Sequence, residues 1–141
     1  MPDLFLLDTH VWIWFFEGVE SEIPRGIRQT LRNASMESAL LVSAMSVWEL
    51  GMLEVRGRVR LSMDCRVWVQ RALGAPGLRF QGLTPSIAIE SSRLPGVIHG
   101  DPVDRILIAT ARLIGASLVT RDHRILDYAE TGQVRALRVA L

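Results

Sequence analysis

The sequence contains no lysine, only one cysteine and no long hydrophobic run. The single cysteine, Cys65, excludes an internal disulfide and a cysteine-based metal cage. The longest apolar stretches, 4–7 and 11–16, are far shorter than the roughly 20 residues that span a bilayer, so no membrane-spanning helix is predicted. The first residues carry no basic segment of a secretory signal, and we therefore expect a cytoplasmic protein without membrane attachment.

The composition is typical of one compact domain. A chain of 141 residues is long enough to bury one hydrophobic core and short for two, so we expect residues 1–141 to form a single domain. The net charge of +1 does not indicate a strong nucleic-acid binder. All 16 positive residues are arginine, which suits bidentate contact with phosphate. Genome composition is an equally good explanation of the missing lysine.

Short apolar segments alternate with helical patterns along the chain. Strands or extended segments are predicted at 4–7, 39–42, 59–61, 78–83, 117–120 and 134–139. Helices are predicted at 9–17, 25–36, 47–55, 64–73, 85–93, 102–114 and 123–129, the third of them capped by Ser43 or Ser46. This alternation predicts the α/β class, as a three-layer α/β/α domain with a central, mainly parallel sheet.

Acidic residues gather at one edge of this predicted sheet. Asp8 and Asp122 follow two strands, Asp101 and Asp104 begin the longest helix, and Glu49 lies on a helix that starts at the same edge. Ligands of such sheets bind beyond the carboxyl ends of the strands. Each aspartate has a structural alternative as a helix cap or first-turn acid, and a structural role for Glu49 is equally open. Those alternatives do not explain why the acids share one edge.

Carboxylates that lie close together repel one another unless protons or a cation neutralise them. Zn²⁺ sites usually contain cysteine or a pair of histidines at ligand spacing, and the predicted site has neither. A site made of oxygen ligands alone favours Mg²⁺ or Mn²⁺ over Zn²⁺. Such ions activate water for attack on a phosphodiester and stabilise the leaving oxygen. The acidic residues therefore predict a metal-dependent nuclease.

Four stretches together resemble the PIN-domain family and, within it, the VapC-type toxins of bacterial toxin–antitoxin pairs. The stretches are LLDTHVWIW at 6–14, SAMSVWELGML at 43–53, HGDPVDRILIATA at 99–111 and LVTRDHRI at 118–125. Their order and spacing cover most of the chain. A single short motif would be weak evidence, whereas four in the right order are specific.

The resemblance implies a PIN-like fold and an endoribonuclease that depends on Mg²⁺ or Mn²⁺. It implies that the catalytic and metal-binding residues are Asp8, Glu49, Asp104 and Asp122. The stretch HGDPVDR contains two aspartates, and the family's site acid resembles the second, which is followed by RILIATA. The resemblance therefore implies Asp104 as the site acid and leaves Asp101 as a helix cap or auxiliary residue. The resemblance also implies an RNA substrate, inhibition by a VapB-like antitoxin, and a homodimer.

Neighbouring residues are candidates for auxiliary roles. Thr9, Ser46 and Thr120 adjoin the acids and would position water or metal, or serve only in caps and turns. A role of His99 or His123 in proton transfer stays open. The tryptophans are expected in the core or in dimer packing, or stacked on a base, and they are Trp12, Trp14, Trp48 and Trp68.

Two sets of arginines are candidates for contact with RNA or a partner. One set shares a helix face and consists of Arg25, Arg28 and Arg32. The other alternates along the chain and consists of Arg56, Arg58 and Arg60. A solvated surface accounts for either set as well.

Other functions agree less well with these residues. A phosphoaspartate phosphatase requires a second aspartate two residues after the first, where this chain has His10. A response-regulator receiver requires a lysine, which the chain lacks. A catalytically inactive PIN-like module that binds RNA or protein would keep the fold but usually lose an acid. Because all four acids are present, we rank the enzyme first.

Overall fold

The computed structural model of the chain describes residues 2–139. Its strands are β1 (Leu4–Leu7), β2 (Leu40–Ser43), β3 (Leu78–Gln81), β4 (Ala116–Thr120) and β5 (Arg135–Arg138). Its α-helices are α1 (Thr9–Glu17), α2 (Arg25–Met36), α3 (Ala44–Val55), α4 (Cys65–Leu73), α5 (Pro85–Ser92), α6 (Pro102–Ile114) and α7 (His123–Glu130). A 3₁₀ turn, Glu20–Glu22, joins α1 to α2. Within this described part of the chain, no helix is long and apolar enough to cross a membrane.

The five strands form one parallel sheet in the order β3-β2-β1-β4-β5. β1 is paired on both sides, since Phe5 lies opposite Leu40 of β2 and opposite Ser117 of β4. The chain continues from β1 to β2 on one side and later returns to β4 on the other, which is the kind of switch point where such sheets bind ligands. The residues that follow β1 and β4 therefore lie beside each other at the carboxyl edge.

Two apolar clusters cover the two faces of the sheet. Leu7 belongs to the cluster formed with α1 to α4, and Leu6 to the cluster formed with α5 to α7. Successive side chains of a strand point to opposite faces, so one unbroken apolar run supplies both cores. The predicted three-layer α/β/α fold is confirmed, and every strand pairing in the sheet is parallel.

Two details of the predicted elements are wrong. Segment 59–61 is not a strand but part of the irregular connection between α3 and α4. Its apolar side chains, Val59 and Leu61, pack against the first core cluster, which explains their hydrophobicity without strand pairing. Helix α3 begins at Ala44 rather than at 47, because Ser43 caps it by accepting the Met45 N–H at 3.0 Å.

Candidate active site

A pocket of about 280 Å³ opens at the carboxyl edge of the sheet. Five carboxylates line it, and they belong to Asp8, Glu49, Asp101, Asp104 and Asp122. The four acids selected from the sequence thus lie around one pocket, together with Asp101. Their side chains come from the ends of β1 and β4, from the second turn of α3 and from the start of α6, which all meet at this edge.

Asp8 connects the two central strands at the pocket. Its backbone N–H donates to Val119 of β4 at 2.9 Å. Its carboxylate caps α1 by accepting the Thr9 N–H at 2.7 Å, and it accepts the Thr120 hydroxyl at 2.6 Å. Burial raises the pKa of Asp8, the two hydrogen bonds oppose that shift, and the charge of Asp122 adds to it. The carboxylate is therefore held in a fixed orientation and is costly to keep ionised without a nearby cation.

Glu49 lies on α3, beside a buried pair of hydroxyl groups. Thr9 and Ser46 are both fully buried, and their side-chain oxygens are hydrogen-bonded at 3.1 Å. Burial raises the pKa of Glu49, the contact with Thr9 opposes this, and the charges of Asp8 and Asp101 add to it. These two auxiliary candidates thus join α1 to α3 at the site.

Asp101 and Asp104 take different roles at the start of α6. Asp101 caps the helix by accepting the Asp104 N–H at 3.0 Å, as predicted. Asp104 is only 9% exposed, and its carboxylate is 2.7 Å from the Nε2 atom of His99. Burial raises the pKa of Asp104 to about 6, the His99 contact opposes the shift, and the surrounding aspartates add to it. His99 therefore orients a buried carboxylate from the loop before the helix.

Asp122 caps α7 and is linked to Asp8 through one residue. Its carboxylate accepts the Arg124 N–H at 2.8 Å and the Ile125 N–H at 3.4 Å. The buried hydroxyl of Thr120 accepts the Asp122 N–H at 3.0 Å and donates to Asp8 at 2.6 Å. Thr120 thereby fixes the positions of two site acids relative to each other. A carboxylate that caps a helix still has oxygen lone pairs available. Asp8 and Asp122 can therefore cap their helices and bind a metal ion at the same time.

Five further residues line the pocket, namely His10, Val11, Trp14, Arg121 and Arg124. Of these, only Trp14 was a candidate from the sequence, for the core, dimer packing or base stacking. Arg121 and Arg124 flank Asp122 in the sequence, which is the one signal that could have indicated them. The six arginines selected instead do not line this pocket. One of them, Arg28, is 3.1 Å from Glu20 and donates to the Ile23 carbonyl at 3.0 Å. Their contact with RNA or a partner stays a prediction.

The donor chemistry of the pocket fits a hard divalent cation. Burial raises the pKa of three of its carboxyl groups, and neighbouring acids add to the shift each time. Within residues 2–139, no three His, Cys, Asp or Glu side chains are already arranged as ligands of one ion. A hard cation such as Mg²⁺ usually keeps several waters and is held by one or two carboxylates, so a closed cage of protein ligands is not a requirement for it.

Asp104→Asn is expected to stabilise the metal-free protein near neutral pH. The pKa of Asp104 is raised from 3.8 to about 6, so the folded chain ionises this group less readily than the unfolded chain. Stability therefore falls as pH rises through that window, by at most about 3 kcal/mol. Asparagine carries no charge and avoids this loss.

Urea denaturation in EDTA tests this, at about pH 7.5 and about pH 4. The variant should be more stable at the higher pH, and the difference should nearly vanish at the lower one. Asp127→Asn, at an exposed position on α7, is the matched control and should show no such gain. A variant less stable than the unmodified chain at about pH 7.5 would contradict the argument.

Comparison with known sequences gives one family and a close relative. The PIN domain family model matches residues 5–131, a range that includes all five pocket acids. Ribonuclease VapC22 of Mycobacterium tuberculosis is 35% identical over 120 residues, which covers 85% of this chain and 88% of that protein.

Solved structures with the same fold include chains of toxin–antitoxin complexes. One of them is VapBC2 from Rickettsia felis, bound to a DNA fragment from its promoter. It matches with a TM-score of 0.68 and 13% identity, over 96% of this chain and 98% of that chain. FitAcB from Neisseria gonorrhoeae matches with a TM-score of 0.66 and 19% identity, over 96% and 97%. DNA-bound VapBC from Salmonella typhimurium matches with a TM-score of 0.65 and 18% identity, over 99% and 100%. At these identities the likeness is evidence for the fold alone.

Proposed function

This chain belongs to the PIN-domain family and is VapC-like, and on that premise we propose that it is an endoribonuclease dependent on Mg²⁺ or Mn²⁺. The observation that carries the proposal is the pocket in which five carboxylates meet at the carboxyl edge of the sheet. The relative that is 35% identical is named a ribonuclease, which supports RNA as the substrate.

The residues proposed to hold the cation are Asp8, Glu49, Asp104 and Asp122. When bound, Mg²⁺ or Mn²⁺ would offset their charge, polarise the phosphodiester and activate a water molecule for attack. Hydrogen bonds from Thr9 and Thr120 orient Asp8, and the contact with His99 orients Asp104. Thr9, Ser46 and Thr120 are buried, with the Thr120 hydroxyl bonded to Asp8 and the Thr9 and Ser46 hydroxyls bonded to each other, so they would act by positioning.

We also propose that a small VapB-like antitoxin inhibits this chain and that the chain forms a homodimer. Support for the antitoxin is the fold shared with chains of VapBC2 from Rickettsia felis, VapBC from Salmonella typhimurium and FitAcB from Neisseria gonorrhoeae. The homodimer is what the resemblance to VapC-type toxins implies.

Metal removal tests the enzymatic proposal. Purified protein, freed of any partner, is incubated with total bacterial RNA in Mg²⁺ or Mn²⁺ and in EDTA. We expect cleavage with either ion, loss of cleavage in EDTA, and recovery when the ion is restored. Cleavage that continues in EDTA would contradict metal dependence. A folded protein that binds RNA but never cuts it would instead support the inactive binding module.

A further inference from the structure

If the substrate is a nucleic acid, the negative charge of the acidic pocket repels the phosphates of the strand. Five carboxylates line it, against two cationic side chains, Arg121 and Arg124. One divalent cation offsets only part of this negative charge, so an approaching polyanion is still repelled. Binding of a nucleic-acid strand draws mainly on contacts between basic side chains and its phosphates. The two arginines at the pocket are therefore the first candidates for such contacts.

Arg121 is held in a fixed position while its charged end stays accessible. Its guanidinium carbon is 4.2 Å from the centre of the Trp14 ring. Its Nη1 atom is 2.7 Å from a carboxylate oxygen of Glu22, and the Arg121 side chain is still 49% exposed. The ring of Trp14 is supported in turn by His10, at 5.7 Å between ring centroids. Stacking on an aromatic ring reduces the entropy that a long side chain loses when it binds a ligand.

The ion pair with Glu22 still allows Arg121 to bind a phosphate. Exposed ion pairs of this kind contribute little, with a median of about 0–1 kcal/mol, so a phosphate can compete with the carboxylate. A guanidinium also has about five N–H donors, and Glu22 is bonded to Nη1 alone. Arg124 is less suited, because it lies 3.7 Å from the site acid Asp122, and no aromatic ring within residues 2–139 supports it as Trp14 supports Arg121.

We propose that Arg121, stacked on Trp14, binds a backbone phosphate of the RNA strand next to the phosphodiester that is cleaved. The ligand is a phosphate group of the chain, recognised by charge and by the planar fork of the guanidinium rather than by base sequence. Before the strand binds, Glu22 accepts a hydrogen bond from one nitrogen of the Arg121 guanidinium. The inference rests on the proposed function, since it assigns a substrate contact at the same site.

Steady-state cleavage of a single-stranded RNA oligonucleotide in Mg²⁺ tests this, with Arg121→Gln as the main variant. We expect KM to rise about tenfold and kcat to change less than about twofold, because the contact binds the strand without touching the reacting atoms. The slope of log KM against log salt concentration should become shallower by roughly 0.7, as expected when one phosphate contact to a single strand is lost.

Three further variants separate this role from a structural one. Trp14→Leu should raise KM but leave the salt slope nearly unchanged, since it removes support and no charge. Glu22→Gln should lower KM, because it removes the carboxylate that competes with phosphate for the Arg121 guanidinium. Arg66→Gln removes an exposed charge from α4, outside the pocket, and should leave KM and the salt slope as they are in the unmodified chain. Urea denaturation checks that each variant is folded.

The failures of the two proposals are distinguishable. If the unmodified chain does not cut RNA in Mg²⁺ or Mn²⁺, the proposed function fails. If it cuts RNA while Arg121→Gln and Arg66→Gln give the same KM and the same salt slope, the phosphate contact is overturned and the nuclease stands. A fall in kcat without a rise in KM would equally overturn the assignment of Arg121 to strand binding.

Discussion

Asp8→Asn should lower RNA cleavage by more than about a hundredfold while the chain stays folded, a larger loss than is typical for groups that only support a metal ligand. Asparagine keeps the shape of the side chain and remains a good helix cap, so the hydrogen bond that the Thr9 N–H donates to the side-chain oxygen of residue 8 is preserved. It removes the negative charge that the site needs for a cation. Because burial raises the pKa of Asp8, the metal-free variant should be at least as stable as the unmodified chain.

Cleavage rates in Mg²⁺ and urea denaturation of the same samples give the two required measurements. Asp127→Asn is again the matched control, since it removes one carboxylate from an exposed position on α7. Its cleavage rate should be unchanged. Cleavage by Asp8→Asn within about threefold of the control would take Asp8 out of the mechanism, and loss of both fold and activity would show that its main role is structural.

The largest expected effect on stability is at Gly77, in the turn that leads into β3. Its φ is +86°, and a Cβ atom built there would lie 1.8 Å from the backbone carbonyl oxygen of Ser35. That oxygen belongs to the last turn of α2, so neither side can move without disturbing an element of the fold. Gly77→Ala should therefore cost more than about 3 kcal/mol, a large part of the stability of a small domain.

Gly132→Ala is the matched control for this prediction. Gly132 has the same φ of +86°, but a Cβ atom there would meet nothing within 4 Å. It should cost only the backbone strain of a left-handed alanine, about 1–2 kcal/mol. Urea denaturation of both variants separates the steric effect from the conformational one. Equal losses at the two positions would show that the close approach of the turn to α2 is unimportant.

The order of strands and helices could be predicted because each element has a strong local signal. Strands covered on both faces appear as unbroken apolar runs, and Thr84-Pro85 and Asp101-Pro102 mark the starts of α5 and α6. Local signals were insufficient at 59–61, where apolar side chains pack against the core without pairing as a strand. Strand pairing and core packing select the same residue types, so the sequence alone does not separate them.

The acids of the site were predictable for a similar reason, since caps and strand ends place them at one edge of a parallel sheet. The setting of Arg121 was not, because it depends on Glu22, which is 99 residues away in the sequence. The contact between His99 and Asp104 depends on the conformation of the loop before α6, which carries no periodic signal. Contacts of this kind become visible only when the chain is folded.

The most direct test of the account is calorimetric titration of Mn²⁺ into the purified chain and into Asp8→Asn, Asp104→Asn and Asp127→Asn. Saturable binding should occur in the unmodified chain and in Asp127→Asn, and the two site variants should bind at least about tenfold more weakly. If all four proteins bind Mn²⁺ alike, or if the unmodified chain does not bind it at all, the carboxylates at the sheet edge are not a metal site.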